Sequence, residues 1–398
     1  MAFTLSPHQR GFAASVRAAA ERAFASGAPA HGGGRGGHGE HAGRVDRALL
    51  RRLADAGLLA RLFPEKGASA LELCLLRENT AGVSTAAETA LALQGLGAYP
   101  VLQSGTPEQA EEWIPRAAAG EAVAAFALSE PEAGSDAAAL RLEARPGRDG
   151  GWRLHGEKTW ISNAPDADFY TVFARTGPDP GARGVSAFLV PADRPGLHGE
   201  HLDMLADHAL GRLVFDGVPV GPGDLIGEQG RGFRVAMRTL DLFRPSVGAF
   251  AVGMAQAALD AAERHAAARH AFGGPLRDQQ TVAHTLAEMA VRTQAARLLV
   301  YWAAEAQDTA ADGGAPDGAT PTERAAMAKL HATETAQYVV DAAVQIHGAR
   351  ALQRGHLLEH LYREVRAPRI YEGASEVQRG IIAREMFRRA DRRRPPDA

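Results

Sequence analysis

The chain has one cysteine, Cys74, which excludes an intrachain disulfide and a cysteine-built zinc site. Its neighbours Leu73, Leu75 and Leu76 predict a buried, unreactive thiol. Charge of neither sign is in excess: the formal net charge is -3 and the pI is near 6.6, so there is no electrostatic case for nucleic acid or an anionic membrane surface as partner. No run is long and apolar enough to span a bilayer. Met1 to Pro7 has neither the basic flank nor the apolar stretch of an export signal. A dinucleotide-binding GxGxxG turn following a strand is also missing. The expectation is a cytoplasmic protein working on small molecules and with other proteins, with no nucleic acid, no membrane and no metal.

What is present is an ordinary globular composition of 398 residues, 45% hydrophobic and 23% charged, enough for a large core divided into two or three domains. Ser6-Pro7 reads as an N-cap with proline at the first helical position, and Phe12, Val16, Ala20 and Phe24 follow every four residues. Leu49, Leu50 and Leu53 continue the helical pattern up to Gly57. Ser84 is placed to cap a segment carrying Leu91, Leu93 and Leu96, Thr106-Pro107 opens another helix, and Gly120 closes the region. A loop of glycines 32, 33, 34, 36, 37 and 39 carries His31, His38 and His41. It follows a helix rather than a strand, so a surface connection is favoured over a phosphate cradle or a metal site.

From residue 121 to 230 the period shifts toward two, in runs at Ala122 to Leu128, Asp168 to Arg175 and Gly184 to Val190. Helical patterns then return at Gly232 to Ala268, Asp278 to Asp308 and Thr322 to Ile346, with the polar segment Asp312 to Thr320 between the last two. The predicted fold class is α+β and multidomain, in the order α, β, α, with domains at 1–120, 121–230 and 231–398.

Three segments carry chemistry. Phe126 to Asp136 leaves a strand for a tight turn with Ser129, Gly134 and Ser135, where either a ligand approaches the backbone or Asp136 bonds its own main chain. Lys158 to Ala164 holds Trp160 and Ser162, which strand alternation puts on one side; the tryptophan is either core or a flat face for a ring. Glu372, in Ile370-Tyr371-Glu372-Gly373-Ala374-Ser375-Glu376-Val377-Gln378-Arg379, is either a solvated loop charge or a base.

Taken with Ala127-Leu128-Ser129-Glu130-Pro131, Ala133 to Asp136, Trp160 to Asn163, Asp241 to Arg244, Arg269 with Phe272-Gly273, and Gln345 to Gly348, these segments stand in one order along nearly the whole chain. In that order the chain resembles the acyl-CoA dehydrogenase family of FAD-dependent acyl thioester dehydrogenases. The resemblance implies an N-terminal helical domain, a middle β domain and a C-terminal four-helix bundle. It implies that Phe126, Leu128, Ser129, Gly134, Ser135, Trp160 and Ser162 contact FAD, Trp160 on the isoalloxazine and the Ser162 hydroxyl near N5. Arg269, Phe272, Gln280, Gln345 and Gly348 resemble segments that reach FAD from a neighbouring subunit, so a homodimer or homotetramer is implied, with an electron-transfer flavoprotein as electron partner. Ser135, Asp241, Phe243, Arg244, Tyr371 and Gly373 would meet the substrate, and Ala374 and Glu376 the FAD adenosine side.

In the family Glu372 is the base that removes the α-proton while the β-hydrogen leaves as hydride. Some members place the base just before the arginine matching Arg244; here that residue is Phe243, which cannot accept a proton. Ala374 replaces the usual threonine, the loop at Pro64 to Ala70 is short, and Met204 to Arg212, with His208, lacks the usual pattern. Either an unusual acyl chain or a carrier-protein thioester is compatible with these departures. An oxygen-using acyl-CoA oxidase or N-hydroxylase, and a non-catalytic FAD-binding subunit, are the competing readings. The arginines at 388, 389 and 392–394 read as a solvated basic tail.

Overall fold

The computed structural model describes residues 4–24, 43–65, 67–309 and 319–393. The glycine and histidine loop with His31, His38 and His41, residues 312–318 of the polar loop, and Arg394 lie outside the described residues. Helices α1 (Pro7–Phe24), α2 (Arg47–Asp55), α3 (Ala70–Ala81), α4 (Thr85–Ser104) and α5 (Pro107–Ala118) come first. Strands β1 (Ala124–Ala127), β2 (Glu143–Pro146), β3 (Trp152–Ser162), β4 (Phe169–Arg175), β5 (Val185–Pro191), β6 (Leu197–His201) and β7 (Leu210–Val220) follow. The chain ends with α6 (Gly232–Ala268), the short strands β8 (His270–Ala271) and β9 (Gly274–Pro275), and helices α7 (Gln280–Asp308), α8 (Pro321–His347), α9 (Leu357–Glu364) and α10 (Ser375–Arg393).

Caps set the helix starts. Ser6 and Gln9 exchange bonds at the head of α1, Ser84 Oγ accepts from the Ala87 amide, and Thr106 and Gln109 form a reciprocal box at the head of α5. Thr320 does the same work for α8, accepting from Glu323 N. Each cap satisfies an amide that the first helical turn leaves without a partner.

The chain forms two compact units. The first contains the described residues among 1–33, 69–88 and 241–398; the second contains those among 34–68 and 89–240. In the second unit the seven-stranded sheet runs β1-β4-β2-β3-β7-β6, with β5 paired to β4. β1 and β2 lie parallel to β4; the other pairs are antiparallel. Its core joins Trp113 and Ile114 of α5 to Phe169 and Phe173 of β4 and Val185 and Leu189 of β5, with the Trp113 and Phe169 rings 4.6 Å apart. Burying each such aromatic contributes roughly 1.5–3 kcal/mol, so β4, buried along almost its length, anchors the sheet.

In the first unit α7 packs on α8, α8 on α10, and α3 on α7. Gly248 of α6 permits close helix packing: a Cβ there would stand 2.7 Å from Val300 Cγ2 of α7 and 3.4 Å from the Ala332 Cβ of α8. Cys74 is fully buried, and burial pushes its thiol up. The basic tail reading is corrected for Arg389 alone. Residues 388, 389 and 392 belong to α10, and both guanidinium NH groups of Arg389 donate to the carboxylate of Glu323, which is itself fully buried. That end of the chain is a helix packed on α8, with Arg389 turned onto Glu323 while Arg388 and Arg392 stay exposed to solvent.

Candidate active site

Glu372 lies in the first unit, between a 3₁₀ turn at Ala367–Arg369 and the start of α10. Its φ is +49° and that of Gly373 is +94°, two successive left-handed residues. Such a backbone costs a non-glycine residue on the order of 1–3 kcal/mol and persists only where neighbours hold it. Here they do: Lys329 Nζ of α8 donates to the Gly373 carbonyl at 2.6 Å, and Gln378 Nε2 donates to the same oxygen at 2.9 Å. Glu334, five residues further along α8, accepts from Ser375 Oγ at 2.7 Å and pairs with Arg369 at 3.0 Å, fixing the loop on both sides of Glu372.

The Glu372 carboxylate is desolvated, and its Oε2 has no hydrogen-bond partner among the described residues. Burial raises its pKa above the ordinary carboxylate value, while Arg77, Arg244 and Lys329 pull it back. Lys329 is itself fully buried and held at about 8, burial outweighing its attraction to Glu372. A carboxylate that is basic, unsolvated and partly compensated by cations can take a proton from a weak carbon acid. The surface-charge reading of Glu372 therefore fails on its environment.

Around it, Arg244 of α6 pairs with Asp241 at 2.8 Å, leaving Nε without a partner among the described residues, and Phe243 beside it is 1% exposed. Tyr371 is partly exposed. Two residues not singled out from the sequence complete the cluster: Arg77 of α3 donates to Glu88 Oε1 of α4 at 2.5 Å and to Ser246 Oγ of α6 at 2.8 Å. Glu88 had a signal in retrospect, as the single charge in the apolar run Thr85 to Leu93, whereas Arg77, next to Glu78, had none. Lys329 was equally silent, one lysine in an alanine-rich helix.

In the second unit, β1 and β3 bring the other two chemical segments side by side. Thr159 N donates to Ser129 O at 3.0 Å, and Asn163 Nδ2 donates to Ala124 O at 2.8 Å. Beneath them Lys158, fully buried, donates to Leu128 O at 2.9 Å and to Glu130 Oε1 at 2.8 Å, and Glu130 also accepts from the Arg141 and Leu142 amides. That buried pair fixes the exit of β1. Leu128 is buried, Phe126 and Ser129 are half-buried, and Gly134 and Ser135 are exposed, with open space where a Gly134 Cβ would stand. Asp136 makes no side-chain cap to the turn that follows, so its self-bonding reading is not seen.

Trp160 is not core: it is 55% exposed, with φ +59° at a register shift in the β3–β7 ladder between Lys158 and Ile161. Ser162 is half-buried, and Ile161 between them is buried. A bare indole face, a serine hydroxyl and an open turn of backbone amides fit a flat, hydrogen-bonding cofactor such as a flavin.

The remaining predicted residues lie on the first unit. Arg269, Phe272, Gln280, Gln345 and Gly348 are all exposed, Phe272 at 91% with φ +54°. The His265 and His347 rings stack at 4.1 Å, which brings the Arg269 segment beside the Gln345 to Gly348 turn. Ala374 leads into α10, and Glu376 is exposed and pairs with Arg379. His208 precedes β7 in a loop, and Arg212 of β7 pairs with Glu157 and with Glu200. Among the described residues no group of three or more His, Cys, Asp or Glu could hold a metal, and no helix is long and apolar enough to cross a membrane.

Three family models match in succession: the N-terminal domain of acyl-CoA dehydrogenase at residues 6–121, the middle domain at 125–218 and the C-terminal domain at 230–387. The chain is 37% identical over 347 residues to the short-chain specific acyl-CoA dehydrogenase, mitochondrial, of Rattus norvegicus, covering 85% of this chain and 82% of that protein. The solved structure of butyryl-CoA dehydrogenase from Megasphaera elsdenii is similar with a TM-score of 0.86 and 31% identity, over 97% of this chain and all of that one. A structure of PigA with FAD and proline has a TM-score of 0.86 at 25% identity, over 98% of this chain and 100% of that one. The chain belongs to the acyl-CoA dehydrogenase family.

Proposed function

We propose that this chain dehydrogenates a short or medium acyl-CoA between Cα and Cβ, with Glu372 as the base that removes the α-proton. Membership of the family makes it an oxidoreductase acting on CH–CH bonds with FAD as cofactor. When bound, FAD supplies the acceptor for the β-hydride. The protein's own part is acid–base and positional. Glu372 Oε2, buried and without a partner among the described residues, is placed to take the proton, and the cations at Arg77, Arg244 and Lys329 favour the ionised carboxylate that this needs. The bonds from Lys329 and Gln378 to the Gly373 carbonyl hold the peptide that follows the base, which keeps its amide environment fixed as charge moves onto the substrate.

Trp160, Ser162, Leu128, Ser129, Gly134 and Ser135 are assigned to FAD on the open side of the second unit. Arg269, Phe272, Gln280, Gln345 and Gly348, solvent-facing in one copy, are assigned to FAD of a neighbouring copy in a homodimer or homotetramer. An electron-transfer flavoprotein is the proposed electron acceptor, and a cytoplasmic site of action is part of the same reading. The observation that carries the assignment is the buried Glu372 Oε2, which has no hydrogen-bond partner among the described residues. Anaerobic addition of a panel of acyl-CoA and acyl-carrier thioesters to the holoenzyme tests it. The flavin should bleach with butyryl- to octanoyl-CoA and make little peroxide in air; failure of every thioester to bleach it would overturn the reading.

A further inference from the structure

Three histidines meet in the first unit where α6 and α8 end and α9 begins. The His265 ring of α6 stacks on that of His347, the last residue of α8, at 4.1 Å, and His347 meets His356 edge-on at 5.5 Å. All three are half-buried. Stacked faces do not converge their lone pairs on one point, and among the described residues no group of this kind could hold a metal. Hydrogen bonds fix the protonation of two of the rings. Nδ1 of His347 lies 2.9 Å from the Ala343 carbonyl, which can only accept, so Nδ1 carries hydrogen and Nε2 is where a further proton would go. His356 is the reverse: its Nδ1 accepts from the Leu358 amide at 3.1 Å and caps α9. An imidazolium has no lone pair to accept with, so a proton on His356 removes that cap.

The surroundings favour neutral rings. Burial first, then Arg350, Arg269 and His356, hold His265 below the ordinary histidine value of 6.5. Burial, His265, His356 and Arg264 do the same to His347, outweighing its bond to Ala343, which pulls the other way. Of the carboxylates on the adjoining segments, Asp260 accepts from Gln256, Asp278 and Glu359 pair with Arg277 and Arg363, and Glu263 is exposed. A histidine whose folded pKa is depressed leaves stability intact above 6.5 and subtracts from it as pH falls below that value. The intervening segment is lightly held. It runs between the left-handed glycines 348 and 355, with φ +64° and +85°, and of its eight residues only Ala351 is buried. Its 3₁₀ turn at Gly348–Leu352 is followed by bonds from Gln353 N to Arg350 O and from His356 N to Gln353 O.

We propose that His265, His347 and His356 form a proton-sensitive latch: neutral, they hold the segment 348–355 closed between α8 and α9, and protonated, they release it together with the Gln345 and Gly348 contacts to FAD of a neighbouring copy. Protonation acts in two ways that add. It sets like charges face to face in the stack, and it strips α9 of its cap. The release of FAD rests on the assignment of Gln345 and Gly348 made above; the opening of the segment does not.

The test is hydrogen exchange of residues 345–358 in the holoenzyme, corrected for the intrinsic effect of pH on exchange and referred to the core of α8, with flavin fluorescence recorded alongside to follow FAD release. From about pH 7.5 to about pH 5, protection of this segment is expected to fall about fivefold or more, the loss that goes with one helix cap, and FAD release to quicken in parallel. His356→Asn supplies a side-chain oxygen that caps α9 at either pH, and His265→Phe keeps a stacking ring that takes no proton. Each is expected to reduce the acid response and the two together to abolish it, with protection at neutral pH unchanged. A wild-type segment as well protected in acid as at neutral pH, or a double variant that keeps the full acid response, overturns the latch. A segment that opens in acid while FAD stays bound supports the latch and overturns instead the assignment of Gln345 and Gly348 to FAD.

Discussion

At the scale of the residue, the reactivity of Glu372 is a balance between desolvation, which raises its pKa, and three cations, which lower it. Removing one cation should therefore move the titration in a known direction. Base catalysis needs the ionised carboxylate, so kcat/KM rises as pH climbs through the Glu372 pKa. Lys329→Met deletes a charge that lowers that pKa, so the rising limb should shift to higher pH and the rate on the acid side should fall. A merely structural lysine would lower the plateau and leave the limb in place. The motif around Glu372 marked it in the sequence as the candidate base. Lys329 and Arg77 were not legible, because they reach Glu372 from α8 and α3 only after the chain has folded.

At the scale of the element, the long helices α6, α7 and α8 and strands β1, β4 and β5 were readable because each carries a period or an apolar run over enough residues. Helix α3 was hidden by burial on nearly every side, which erases its 3.6-residue period, and β6 by its short polar sequence. The exposure of Trp160 was equally hidden, since it depends on a bulge in the β3–β7 ladder. Two element-level predictions follow from the supports described above. Lys158→Met strips the buried Glu130 carboxylate of its counter-charge and Leu128 of a donor. It should cost about 3–5 kcal/mol in denaturant unfolding and lower FAD content as the β1 exit loosens. Gly373→Ala forces a side chain onto a left-handed backbone and into the Gln378 amide, so flavin reduction should slow far more than the unfolding midpoint falls. Equal loss of both would count against a specific role for that turn.

At the scale of the whole molecule, the proposed FAD contacts divide between residues of the second unit and exposed residues of the first that a neighbouring copy would use. Arg269→Ala should then lower FAD occupancy, with sedimentation showing whether self-association falls with it; a monomer that retains FAD stoichiometrically would contradict the shared site. The central claim is narrower, that a buried carboxylate at 372 takes the α-proton. Its most direct test is anaerobic stopped-flow of the Glu372→Gln holoenzyme with butyryl-CoA, watching the flavin spectrum. The account predicts a binding-induced spectral shift with reduction slowed at least about 10³-fold, and reduction at the wild-type rate would contradict it.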